Sequence, residues 1–265
     1  MSFLQKYQNI IKKNNTFVTV GLDSDIHKIP PHLKTEKNPV LIFNKRIIEE
    51  TYKDCAAYKP NFAFYISQGF KGIETLKKTI DFIPKEIPII IDIKAGDIGN
   101  TMEQYAVSVF EYLKADAMTI NILMGSDVIN AVFKKENNFA FALVLTSNES
   151  ANDYFKYQDL YKKIALKVDE VGYDKLGAVV GATQIDDLSN MRVLMPNTIF
   201  LVPGIGSQGG DLKQVCQCLK YSNEDPRFLI NSSRNIIFAD KSVNFAKAAK
   251  IETIKLKESI NSFLF

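Results

Sequence analysis

The sequence predicts one (β/α)8 barrel, a TIM barrel of the α/β class, spanning residues 1–265 with an N-terminal capping helix. Three observations carry that reading. Eight short apolar, β-branched runs alternate with segments whose apolar residues recur at helical period, the repeat arithmetic of this barrel. The runs are apolar almost throughout, as parallel strands covered on both faces must be. No Pro/Gly/Ser-rich linker or shift in composition divides the chain. The competing architecture is an open doubly wound sheet. Its Gly-rich dinucleotide turn is missing, because the first run ends in Gly21-Leu22-Asp23-Ser24-Asp25.

The elements follow in order. Leu4, Tyr7, Ile10 and Ile11 fall at helical spacing with Gln and Lys between them. That is an amphipathic helix to cap the barrel bottom, not the unbroken apolar region of a signal peptide. Strands are predicted over Phe17–Asp23, Ala56–Pro60, Pro88–Lys94, Ala117–Leu123, Phe139–Thr146, Leu176–Thr183, Ile199–Pro203 and Phe228–Ser232. Between them, helices are predicted over Val40–Tyr52, Thr101–Leu113, Tyr157–Val171, Asp211–Leu219 and Ser242–Phe263. Strand–helix alternation implies parallel strands and right-handed crossovers.

Composition excludes several functions. With 46% apolar residues and 24% charged, the chain is too apolar for disorder. The longest apolar stretches, such as Phe139–Leu145, fall far short of the ~18 residues of a membrane span. A cytoplasmic protein without an anchor is expected. The cysteines Cys55, Cys216 and Cys218 are too few for a disulfide framework, and their odd number suits a reduced compartment. His27 and His32, the only histidines, cannot build a His-rich metal centre and read as surface-loop residues. Cys216 and Cys218 sit on a predicted helix and read as packing. The run Lys134-Lys135-Glu136 reads as a solvated helix end. A net charge of +3, evenly spread, gives no case for nucleic acid. Arginine is scarce: Arg46, Arg192, Arg227 and Arg234 are the only four.

In a barrel, chemistry sits where strands end and βα loops begin. Those ends are polar or charged while the strand beginnings are apolar, which points to one polar pocket on the top face. The third strand carries the sharpest signal, Asp92-Ile93-Lys94-Ala95-Gly96-Asp97. Strand residues alternate faces, so Asp92 and Lys94 project together into the barrel mouth and the isoleucines face the helices. Asp97 follows in a Gly-containing loop. Such charges are costly to bury unless they pair. Two carboxylates around one lysine keep it protonated, and an ammonium held beside substrate is a general acid. Lys59 ends the adjacent second strand and should reach Asp92, giving a Lys–Asp–Lys–Asp array. The Gly-rich turn from Pro203 and Gly204 to Gly210 opens a helix at Asp211, and its N–H groups could cradle a phosphate. Arg234 would close that site from strand eight.

These residues resemble the orotidine 5′-phosphate decarboxylase family. The third-strand run is similar to its Asp-x-Lys-x-x-Asp-Ile-x-x-Thr signature, filled here by Asp92, Lys94, Asp97, Ile98 and Thr101. Gly21-Leu22-Asp23, Lys59-Pro60-Asn61 and Pro203-Gly204-Ile205-Gly206 with Gln208 extend the resemblance over the barrel. The wording Lys59–Tyr65 and the insert Ser147–Tyr157 resemble the family's type 2 branch. The resemblance implies a cofactor-free and metal-free conversion of orotidine monophosphate to uridine monophosphate in pyrimidine biosynthesis. It implies Lys94 as proton donor to C6, Asp92 facing the substrate carboxylate, and Lys59 holding Asp92 and touching the ribose. It implies Asp23 and Asn61 on the ribose, Thr146 or Ser147 on the pyrimidine, and Gln208 and Arg234 on phosphate. It also implies a homodimer in which Asp97, Ile98 and Thr101 complete the partner's site. A sugar-phosphate decarboxylase or aldolase on the same scaffold, or a non-catalytic nucleotide-phosphate binder, are the alternatives at this stage.

Overall fold

The computed structural model describes residues 1–182, 185–205, 211–220 and 226–264. Its strands are β1 (Val18–Leu22), β2 (Ala57–Pro60), β3 (Ile90–Ala95), β4 (Ala117–Ile120), β5 (Phe139–Leu145), β6 (Leu176–Val180), β7 (Phe200–Val202) and β8 (Phe228–Ser232). All seven ladders are parallel, in the order β2-β1-β8-β7-β6-β5-β4-β3. The seam between β2 and β3 is closed by the bridges Tyr58–Ile89 and Asn61–Asp92, with Tyr58 N–H donating to the Pro88 carbonyl. The sheet is thus a barrel, and the open doubly wound alternative falls. β1, β5 and β6 are buried along their whole length, because the helices cover the outside and side chains fill the inside.

The capping helix α1 (Phe3–Asn14) starts from a capping box between Ser2 and Gln5 and stops at Asn15 in the left-handed region. Its apolar stripe buries Phe3, Tyr7, Ile10 and Ile11. The Phe3 ring stacks on Phe139 at 4.3 Å and meets Phe141 edge-on at 5.5 Å, and Tyr7 Oη donates to the Pro226 carbonyl. Full burial of one such ring contributes about 1.5–3 kcal/mol. The opposite end, at the strand C-termini, carries an open mouth.

The outer helices are α2 (Pro39–Thr51), α3 (Phe62–Ile66), α4 (Gly69–Phe82), α5 (Gly99–Ala106), α6 (Ser126–Val132), α7 (Leu160–Val171), α8 (Ile185–Leu194), α9 (Leu212–Leu219), α10 (Arg234–Ile237) and α11 (Phe245–Leu264). Phe43 of α2 stacks between Phe238 and Phe245, tying α2 to α11 across the first and last units. Several predicted bounds need correction. The helix expected over 101–113 starts at Gly99 and widens into a π-helical turn over Val107–Tyr112. The helix expected from Tyr157 starts at Leu160, because Gln158 and Asp159 take left-handed backbone angles. The last helix starts at Phe245 rather than Ser242. The helices α3, α4, α6, α8 and α10 lie outside the segments predicted as helix. In α8, buried Arg192 interrupts the stripe of Leu188 and Met191. Its guanidinium stacks 3.8 Å over Phe200 and donates to the carbonyls of Met195, Pro196, Thr198 and Arg227 at the barrel base.

Candidate active site

A cavity of about 280 Å³ opens at the strand C-termini, floored by Lys59, Asp92, Lys94 and Thr119 and walled by Leu143 and Val179. Asp92 is its centre. Lys59 Nζ lies 2.5 Å from Oδ2, and Lys94 Nζ donates to Oδ1, which also accepts from Thr119 Oγ1 at 3.0 Å. Burial opposes the Asp92 charge, but the two ammoniums outweigh it and hold the carboxyl well below its usual range. Burial likewise opposes the charge of Lys59, yet Asp92 and Asp23 outweigh it and its pKa rises. The sequence-based placement of Lys59, Asp92 and Lys94 on one interior face is what the structure contains.

Lys94 reaches the mouth through irregular backbone. Its φ is +51°, and the β3–β4 register shifts between Ile91 and Ala95, the signature of a bulge. Its side chain is about half exposed at 48%, whereas Lys59 is buried. The lysines therefore differ in access: Lys59 is enclosed, and Lys94 faces incoming ligand.

Asp23, at the end of β1, is the second carboxylate facing these lysines within the chain. Its Oδ1 is buried and has no hydrogen-bond partner among the described residues. Burial raises its pKa, partly offset by Lys59, with Asp92 raising it further and a Ser233 hydrogen bond lowering it. Gly21 makes room for that Ser233: a Cβ there would lie 1.9 Å from Ser233 Oγ. Asn61 follows β2 and caps α3, its Oδ1 accepting from Ala63 N–H. Thr146 and Ser147 line the cavity after β5. Gly181 of the neighbouring loop packs so close to Ser147 that a Cβ would meet its Cα at 2.7 Å.

After β7, Pro203 borders the cavity and Gly204 turns the chain with φ of +98°. Arg234 is exposed at the first position of α10, directly after β8, and forms no ion pair among the described residues. Gln208 lies outside the described residues, as do Gly206, Gly209 and Gly210.

One expected grouping does not form within the single chain. Asp97 makes no ion pair among the described residues; its Oδ1 accepts from Ile98 N–H on the loop after β3. Ile98 is half exposed and Thr101 is exposed. Instead of a Lys–Asp–Lys–Asp array ending at Asp97, one chain assembles Lys59, Asp92, Lys94 and Asp23. Asp97 lies beyond the end of β3 at Ala95, where strand alternation no longer fixes the side chain's direction. Sequence reasoning missed Thr119 and Ser233. Thr119 was legible as the polar residue of the Thr119-Ile120-Asn121 strand end, next to Asp92 in strand order.

Among the described residues no cluster of His, Cys, Asp and Glu could hold a metal ion. Cys216 is buried on α9 and burial pushes its thiol up to about 12, consistent with packing. Lys134 and Lys135 pair with Glu103 and Glu111 at the surface.

Fold and site together define a (β/α)8-barrel enzyme with one pocket built on a buried carboxylate between two lysines. Residues 40–249 match the family model described as "Orotidine 5'-phosphate decarboxylase / HUMPS family". An orotidine 5′-phosphate decarboxylase from Phocaeicola vulgatus is 42% identical, the match covering 100% of this chain and 99% of that protein. The one from Christiangramia forsetii is also 42% identical, covering 98% of each. The structure of Leishmania donovani OMP decarboxylase superposes with a TM-score of 0.83 at 32% identity, covering 100% of this chain and 99% of that one. The chain belongs to the orotidine 5′-phosphate decarboxylase / HUMPS family.

Proposed function

We propose that this protein decarboxylates orotidine 5′-monophosphate to uridine 5′-monophosphate, with Lys94 as the proton donor. The observation that carries the reading is Asp92, held ionised on the pocket floor between Lys59 and Lys94. A substrate carboxylate seated there meets a carboxylate that cannot move away and an ammonium beside it. The C6–carboxylate bond breaks, its electron pair stays on C6, and CO2 leaves. The Lys94 N–H bond then breaks and its proton goes to C6, leaving a neutral amine that solvent reprotonates. Attraction between ammonium and C6 grows as charge develops, which is the kind of interaction that raises rate. Repulsion between Asp92 and the substrate carboxylate adds stress to the bound state.

The remaining roles extend the same reading. Lys59 fixes Asp92 and, with Asp23 and Asn61, faces the ribose; the unpartnered Asp23 Oδ1 is an acceptor awaiting a hydroxyl. Thr146 and Ser147 lie where the pyrimidine edge would sit. Pro203, Gly204, Gln208 and Arg234 make the phosphate end. No metal or organic cofactor takes part.

A second copy of the chain is the natural neighbour of Asp97, Ile98 and Thr101. Exposed apolar side chains crowd the loops after β2, β3 and β4: Phe70 at 97% exposure, with Ile66, Ile98, Leu123 and Met124 about half exposed. A homodimer interface would take such side chains out of water. No helix among the described residues is long and apolar enough to cross a membrane, and we read the protein as a cytoplasmic homodimer that binds no nucleic acid.

The test is loss of orotidine monophosphate absorbance in the presence of EDTA. Turnover by the wild-type chain and its loss in Lys94→Ala, with UMP binding retained, is the expected result. No turnover, metal dependence, or an active Lys94→Ala overturns the reading. Mixed Lys94→Ala and Asp97→Ala chains should regain partial activity if the site is shared.

A further inference from the structure

Thr119 sits at the centre of the pocket floor with every hydrogen-bonding capacity of its hydroxyl used. Oγ1 accepts from the backbone N–H groups of Ile93 at 3.1 Å and Lys94 at 2.9 Å. It donates its proton to Asp92 Oδ1 at 3.0 Å. A hydroxyl has two acceptor positions and one donor, so this one is saturated. The residue is buried, at 1% exposure, on the neighbouring strand β4.

The two N–H groups it captures belong to the bulge. The β3–β4 ladder loses register between Ile91 and Ala95, so Ile93 and Lys94 lack their ordinary strand partners there. Lys94 takes a φ of +51°, a region that a long side chain occupies at some cost and only when its surroundings fix it. One side chain thus supplies the missing acceptor for the strained backbone and the donor that orients the carboxylate beside it. Lys94 Nζ binds the same Oδ1 that Thr119 binds. The hydroxyl therefore fixes both ends of Lys94, its amide directly and its ammonium through Asp92.

We infer that Thr119 is the positioning residue of the Lys94–Asp92 pair, holding the bulge so that the ammonium is delivered at the reacting carbon. The inference rests on the reading of Lys94 as proton donor. Asn121 helps from the same strand: its N–H donates to Ala95 O, and a Cβ on Gly96 would lie 2.8 Å from the Asn121 carbonyl oxygen. Among the described residues it is Thr119 that bonds both the bulged backbone and the Asp92 carboxylate.

The experiment compares wild type, Thr119→Val, Thr119→Ala, Thr119→Ser and Lys94→Ala for turnover of orotidine monophosphate, UMP affinity and thermal midpoint. Thr119→Val keeps the shape and removes the hydroxyl. It should lower kcat at least tenfold per UMP-binding site, with KM and UMP affinity changed less than threefold. Thr119→Ser restores the hydroxyl and should recover kcat to within threefold of wild type. A purely structural role would lower the thermal midpoint and leave kcat per binding site unchanged, and that outcome overturns the inference. So does a Ser variant as slow as the Val variant. If Thr119→Val does not fold, Thr119→Ala is read by the same kcat and UMP criteria. A Lys94→Ala that turns over normally removes the underlying reading instead, so the two failures are distinguishable.

Discussion

Removing Lys59 should expose how Asp92 is held. Lys59 and Asp92 are both almost fully buried and directly paired. Deleting one partner of a buried pair generally costs about 3–5 kcal/mol, because the other charge is left uncompensated. Lys94 and Thr119 still hold Oδ1, which places Lys59→Met at the low end, about 3 kcal/mol. At about 2–4 °C per kcal/mol for a chain of this size, the midpoint should fall by about 6–12 °C. The pH dependence has a sign. Asp92 titrates lower in the folded chain than in the unfolded one, so its contribution is present above about pH 4 and lost as pH falls through the folded pKa. Lys59→Met removes most of that depression, so the gap to wild type should be widest near neutrality and close toward acid. Lys59 titrates higher in the folded chain, so its own contribution is lost only as pH rises past the ordinary lysine range. The assay is thermal denaturation followed by circular dichroism between pH 2 and pH 8. The double variant Lys59→Met/Asp92→Asn should regain at least half the loss at neutral pH. A Lys59→Met chain as stable as wild type, or a double variant no better than the single, would refute the reasoning.

Other outcomes follow from single contacts. Asp23→Asn removes a carboxylate whose folded pKa is raised by burial, so its midpoint at pH 7 should equal or exceed that of wild type. The advantage should vanish below about pH 4, where the wild-type group is protonated in both states, and UMP affinity should fall at either pH. Gly21→Ala drives a methyl into Ser233 and should cost about 1–3 kcal/mol in denaturant titration while weakening UMP binding. Arg192→Met abandons several carbonyls at the barrel base. It should cost about 3 kcal/mol or more in urea unfolding, yet leave kcat of the folded protein unchanged.

The barrel was legible because parallel strands must be apolar along their length, and runs such as Phe139–Leu145 have no other plausible use. Asp92, Lys94 and Lys59 were legible because a charge among isoleucines on a buried strand has only one face to occupy. Helix α8 was hard to read because a barrel helix buries only one narrow stripe, and here an arginine occupies part of it. The Lys94 bulge left no trace, since backbone angles at a non-glycine residue depend on what the neighbouring strand offers. Asp97 could not be placed from alternation, because alternation ends where the strand does.

The plug at the closed end has a consequence for how the chain assembles. Phe3 rests on β5, and Tyr7 bonds to a carbonyl 219 residues away, next to β8. The Tyr7 hydroxyl therefore gains this partner only once the chain near β8 has joined. Such long-range closure is slow compared with local helix formation. During that interval the apolar stripe of α1 is not fully covered, and its lysines and glutamines must keep it in solution.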